Sequence, residues 1–145
     1  MAFLVSIFLE NKIGHFEKVT HVLKEQDIDI KTMTLTNTVN GWGILNLLVS
    51  KPEKACSALA EKGFTATLRE VLALEMQDRI GGLDDLLMQI ARVGISFDNA
   101  FGRNAGINNP AVLVLDVPDI RTARERLKEA GISELPDEVV YGNGH

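Results

Sequence analysis

An α+β fold made of two consecutive strand-helix-strand-strand-helix-strand (βαββαβ) units is predicted, and three observations predict it. The stretch Glu10-Asn11-Lys12-Ile13-Gly14-His15-Phe16 is echoed sixty-seven residues later by Gln77-Asp78-Arg79-Ile80-Gly81-Gly82-Leu83, with the same order of amide or acid, base, isoleucine and glycine. Each copy ends an apolar strand-like run, Phe3 to Leu9 or Leu72 to Met76, and opens a run with helical apolar spacing. The apolar positions that follow overlay at the same offset, Phe16 on Leu83, Val19 on Leu86, Leu23 on Ile90 and Ile28 on Ile95.

In the first half, Phe3, Val5, Ile7 and Leu9 alternate as in a strand, while Leu4 and Phe8 make the opposite face apolar too. Phe16, Val19, Val22 and Leu23 then line one face of an amphipathic helix whose other faces carry Glu17, Lys18, Lys24 and Glu25. Ile28 to Thr38 is rich in β-branched residues, and its apolar parity changes between Ile30 and Met33, which predicts a bulge or a strand crossing between two environments. Asn40-Gly41 is the strongest hairpin signal in the chain, with Trp42 to Val49 as the returning strand. Pro52 opens a second helix where its missing N–H costs little, Ala55, Ala58 and Leu59 face inward, and Gly63 stops it. Phe64 to Leu68 completes the unit as a fourth strand.

The order then repeats. Val71 to Gln77 is a strand, and Leu83, Leu86, Leu87, Ile90 and Val93 mark a helix. Ile95 to Phe101 and Ala111 to Val117 are hairpin strands joined by the longer, more polar Gly102 to Pro110, where Gly102 and Gly106 with Arg103 between them read as a flexible hairpin loop, the alternative being a lid over a site. Ile120, Ala123, Leu127 and Ala130 form the last helix, which Gly131 ends. The final strand is the weakest element: Ile132 to Leu135 is short before Pro136, and Val139-Val140-Tyr141 would supply or extend it. A unit of this order fits the ferredoxin-like topology, an antiparallel sheet with both helices on one face. The boundary falls between residues 70 and 71, giving units 1–70 and 71–145. Leu4, Phe8 and Val71 predict that the second sheet face is covered by the other repeat or by another chain. Units of this size also bury little apolar area alone, so a homodimer is expected.

Composition excludes several functions. With 46% hydrophobic and 24% charged residues, the chain is that of a folded globular protein. A net charge of -5 with fifteen scattered basic residues disfavours nucleic acid as a partner. No stretch is long and apolar enough for a membrane span or a leader peptide, so a soluble cytoplasmic protein is expected. The single cysteine, Cys56, allows no internal disulfide and has no histidine near it in sequence. His15 and His21 are six apart and point to different helix faces, so no metal spacing exists, and no cofactor is expected. Asp84-Asp85 suits the first turn of a helix, and no phosphate loop, dinucleotide fingerprint or serine elbow is present.

What remains is the repeated turn. Glycine lets a ligand approach the main chain, the free N–H groups of a helix start attract a carboxylate or phosphate, and Asn11 and Asp78 carry oxygens that can cap the helix or bind an ammonium group. The plainer reading is that Asn or Asp is a helix cap and Gly a turn former; duplication of the whole pattern, base included, favours binding.

Asn11-Lys12-Ile13-Gly14 and Asp78-Arg79-Ile80-Gly81 resemble the turn after the first strand of the ACT domain, a small ferredoxin-like module that binds amino acids in many metabolic enzymes. The resemblance covers nearly the whole chain as two copies, similar to stand-alone tandem-ACT proteins of bacteria. It departs from the family in carrying isoleucine where proline is usual in both turns. The resemblance implies that the backbone around Ile13, Gly14, His15 and Phe16, and around Ile80, Gly81, Gly82 and Leu83, takes an amino acid's carboxylate. It implies that Asn11 or Asp78, with Asp29 or Ser96 one step into the second strand, takes the ammonium, with Lys12 and Arg79 in the same turns. Asp78 is an acid where Asn11 is neutral, so unequal sites are expected. The function implied is a non-enzymatic regulator that signals occupancy to a metabolic enzyme partner. The rivals are a small lyase or isomerase on the same frame, against which stands the lack of any acid, base or metal cluster, and a ligand-free structural subunit.

Overall fold

The computed structural model describes residues 1–10, 12–104 and 110–141, and of Val39 the backbone alone. Within these, the chain divides into one unit of residues 3–69 and another of residues 1–2 with 70–141.

The first unit contains β1 (Ala2–Glu10), α1 (His15–Glu25), β2 (Ile30–Asn37), β3 (Trp42–Val49), α2 (Pro52–Glu61) and the first residues of β4 (Thr65–Met76), with sheet order β2-β3-β1-β4. Period-two alternation aims Val5, Ile7 and Leu9 of β1 and Leu45, Leu47 and Val49 of β3 at one face, where they meet Val19, Val22 and Leu23 of α1 and Ala55 and Leu59 of α2. Both helices therefore lie on that face, and each large aliphatic side chain buried there contributes about 1.5–3 kcal/mol. The parity change in β2 is a register shift between Ile30 and Thr32 against β3. At the hairpin, Asn40 and Gly41 both take positive φ, 73° and 76°, as a turn that follows the twist of its strands requires.

The predicted strands Phe64 to Leu68 and Val71 to Gln77 are one continuous strand, β4, which crosses the division between the units. Neither Arg69 nor Glu70 has the backbone preferences that would break it.

The second unit runs from the later part of β4 through α3 (Gly82–Arg92), β5 (Asn99–Asn104), β6 (Ala111–Asp116), α4 (Ile120–Glu129) and α5 (Asp137–Tyr141), with order β4-β6-β5. Its core mirrors the first: Leu72, Leu74, Leu113 and Leu115 from strands, Leu86, Ile90, Ala123 and Leu127 from helices. Asp119 caps α4, its carboxylate accepting from the Thr122 N–H at 3.2 Å and the Thr122 hydroxyl at 2.7 Å, and these bonds hold its pKa below the ordinary aspartate value.

Two expectations are corrected. The last strand is reduced to one bridge, Leu74 with Glu134, and Val139 to Tyr141 is helical because Pro136 and the acids Asp137 and Glu138 start α5. Arg103 is not in a loop but on β5, where its guanidinium donates to the carbonyls of Val139 and Val140; this ties α5 to the sheet face opposite the helices, and Val140 is buried. On the second sheet face Leu4 and Val71 are buried within the chain itself, whereas Phe8 is 47% exposed in the single chain and stacks on Trp42 of the neighbouring strand, with ring centroids 4.8 Å apart.

Arg124 of α4 holds the end of the second unit. Its guanidinium donates twice to Glu134, at 2.6 and 2.9 Å, and once to Glu70 at 2.7 Å, joining the bridge segment and the start of the unit's β4 portion to one helix. These carboxylates hold the guanidinium charged beyond its ordinary range. Since all three side chains are part-buried, Arg124→Met is expected to cost about 1–2 kcal/mol in urea denaturation; an unchanged midpoint would contradict the role given to this triad.

Candidate functional site

The two turns repeat bond for bond. In the first, the Lys12 N–H donates to the Glu10 carbonyl at 2.9 Å, His15 N–H to Lys12 at 3.1 Å, and Lys18 N–H to Gly14 at 3.1 Å. In the second, Arg79 donates to Gln77, Gly82 to Arg79 and Asp85 to Gly81, each at 3.0 Å. Gly14 and Gly81 take φ of 86° and 83°, a conformation that costs other residues energy, and each is the N-cap of its helix. Neither cap supplies a side-chain hydrogen bond. A helix start leaves its first N–H groups without acceptors. His15 and Gly82 are satisfied inside the turn, so the N–H groups left open among the described residues are those of Phe16 and Glu17, and of Leu83 and Asp84.

Asn11, the proposed ammonium partner of the first turn, lies outside the described residues. Lys12 pairs with Glu10 at 3.0 Å, Ile13 and Ile80 are fully exposed, and His15 and Phe16 are half-buried. Leu83, aligned with Phe16, is 46% exposed. Gly82 has a steric reason that spacing did not reveal: a Cβ there would stand 2.0 Å from the Gln77 carbonyl oxygen.

Asp29 and Ser96 do not meet these turns within their own units. Asp29 follows the far end of α1, eleven residues long and thus roughly 16 Å. It lines a cavity of about 450 Å³ with Lys24, Asp27 and Lys51; its carboxylate takes the Lys31 ammonium at 2.6 Å, and its backbone N–H donates to the Ser50 hydroxyl at 3.0 Å. Ser96 lines a cavity of about 70 Å³ past the far end of α3, where the Arg126 guanidinium donates to the Gly94 carbonyl at 2.6 Å.

No group of three or more metal-ligating side chains occurs among the described residues, and no helix of theirs is long and apolar enough to cross a membrane. A family model of the ACT domain pair matches residues 1–138. The chain belongs to that family. The ACT pair is also similar to a crystal structure of a protein from Bacteroides thetaiotaomicron, with 28% identity and a TM-score of 0.84 over 97% of this chain and 96% of that one. It shares its fold with the regulatory subunit of aspartate kinase from Thermus thermophilus in ligand-free form, at 15% identity and a TM-score of 0.57 over 89% and 92% of the two chains. It shares it also with part of an aspartate kinase from Clostridium acetobutylicum, at 13% identity and a TM-score of 0.51, over 89% of the ACT pair but 32% of that chain. A comparison with curated proteins returned no match.

Proposed function

We propose that this ACT pair, with residues 1–70 and 71–145 as its two domains, is a non-enzymatic cytoplasmic regulator that binds a small amino acid at a strand-to-helix turn. The observation that carries this reading is the duplicated backbone: a left-handed glycine and a common bond pattern leave two adjacent N–H groups pointing out of a helix start, a shape that accepts a carboxylate. Asn11 or Asp78 takes the ammonium.

Asp29 is separated by α1 from the turn of its own unit, so if it serves as the ammonium partner of the first turn it comes from another copy of the chain. A homodimer is the functional form proposed. The exposed Phe8–Trp42 stack, Ile44 and Ile13 supply apolar surface for such contacts. Occupancy shifts the balance between arrangements only by its differential affinity for them, and a metabolic enzyme is the partner that reads the shift. The fold relationship to the regulatory subunit of aspartate kinase supports a regulatory role.

Thermal melting with each of the twenty amino acids tests this. At a hundredfold excess over Kd, a ligand of the folded chain alone raises the melting temperature by about 5 °C or more. No shift with any of them would leave a ligand-free scaffold.

A further inference from the structure

Resting on the amino-acid reading above, we infer that the two turns are unequal by construction: the first takes the carboxylate more tightly, and the second is weakened by its own Arg79–Asp85 ion pair and the acids around it. The Arg79 guanidinium folds back over its turn, donating through Nη2 to the Asp85 carboxylate and through Nη1 to the Ile80 carbonyl at 3.2 Å. The same Nη1 stands 3.9 Å from where a Cβ on Gly81 would be, over the glycine that a ligand has to approach. The base that would attract an anion is spent on a neighbour.

The first turn cannot form this contact. Lys18 stands at the position aligned with Asp85, and Lys12 turns instead to Glu10. Among the described residues, nothing stands within 4 Å of a Cβ built on Gly14. The second helix start is also tighter, since position 82 has no room for a methyl group where the first repeat accommodates the side chain of His15.

The charges agree. Around the first turn, Lys12 and Lys18 face Glu10 and Glu17; around the second, Arg79 alone faces Asp78, Asp84 and Asp85. A cavity of about 260 Å³ opens beside the second turn, but its charged lining, Glu75 and Asp85, has the wrong sign for a carboxylate. Arg79 and Asp85 are 57% and 49% exposed, so the ion pair by itself weakens binding only a few-fold. Reversing a unit charge a few ångströms from the ligand's carboxylate adds roughly another tenfold. The affinities of the two turns therefore differ by at least about tenfold.

Glycine, the smallest zwitterion, is the probe, because it needs no side-chain pocket. In a ¹H–¹⁵N NMR titration of the full chain, the Phe16 and Glu17 amides are expected to respond with a midpoint at least about tenfold below that of Leu83 and Asp84. Asp85→Lys, which restores the residue of the first repeat, and separately Asp85→Ala, which frees the Arg79 guanidinium, are expected to bring the second midpoint down at least threefold with the first unmoved. Equal midpoints in the unaltered chain overturn this inference and leave the amino-acid reading standing. So does a second turn that stays unresponsive in both variants while their spectra remain those of the folded chain. Silence at both turns of the unaltered chain overturns the reading itself and the inference with it.

Discussion

Replacing Gly82 with alanine is expected to lower the stability of the second unit by about 2–4 kcal/mol. The added methyl would lie 2.0 Å from the Gln77 carbonyl oxygen and 2.9 Å from its carbon, far inside contact distance, and both are backbone atoms that cannot rotate away. Moving the strand end would break the bond from Arg79 N–H to Gln77, and moving the helix start would break the one from Gly82 N–H to Arg79, each now 3.0 Å. His15→Ala at the aligned position removes atoms from a half-buried side chain and creates no overlap, so it is the control, with a loss under about 1 kcal/mol. Urea denaturation, with amide hydrogen exchange read along Leu72–Met76 and Ala111–Asp116, reports the second unit. Equal stability of the two variants would mean that the turn yields more easily than its bonds imply.

Gly14→Val is expected to abolish binding at the first turn, a loss of about a hundredfold or more, while costing the fold only about 1–3 kcal/mol. The two effects have different origins. The fold cost comes from placing a β-branched residue at a φ of 86°, because the surrounding space is open. The binding cost comes from the same open space: the branches fill the approach to the Phe16 and Glu17 N–H groups. Gly14→Ala is expected to show most of the strain with less obstruction, so affinity falls in the order Gly, Ala, Val by more than stability does. Calorimetric titration with the amino acid that most raises the melting temperature checks this, and an unchanged affinity in the valine variant would exclude the turn as the site.

Much of this was legible in the sequence, because backbone-determined features follow from residue type. Asn40-Gly41 required a hairpin with two positive φ angles, the parity change after Ile30 appeared as a register shift, and the sixty-seven-residue offset reappears as matching hydrogen bonds in the two turns. What escaped depended on side chains meeting in space. Arg69-Glu70 reads equally well as a break or as the middle of a long strand, and in the structure it lies within β4. Val139-Val140-Tyr141 has strand propensity, yet Pro136 and two acids start a helix there, and Arg103 holds it. The spacing of Asp29 gave no hint that α1 would separate it from the turn. Aligning the repeats puts Asp85 on Lys18, a charge reversal beside the second turn's glycine that was legible in the sequence and on which the proposed inequality of the two turns rests.

A crystal structure of the chain grown with the amino acid that most raises its melting temperature tests the central claim most directly. The ligand's carboxylate is predicted to lie within hydrogen-bond distance of the Phe16 and Glu17 N–H groups, beside Gly14. Ligand density elsewhere, with those two groups turned to water, would contradict it.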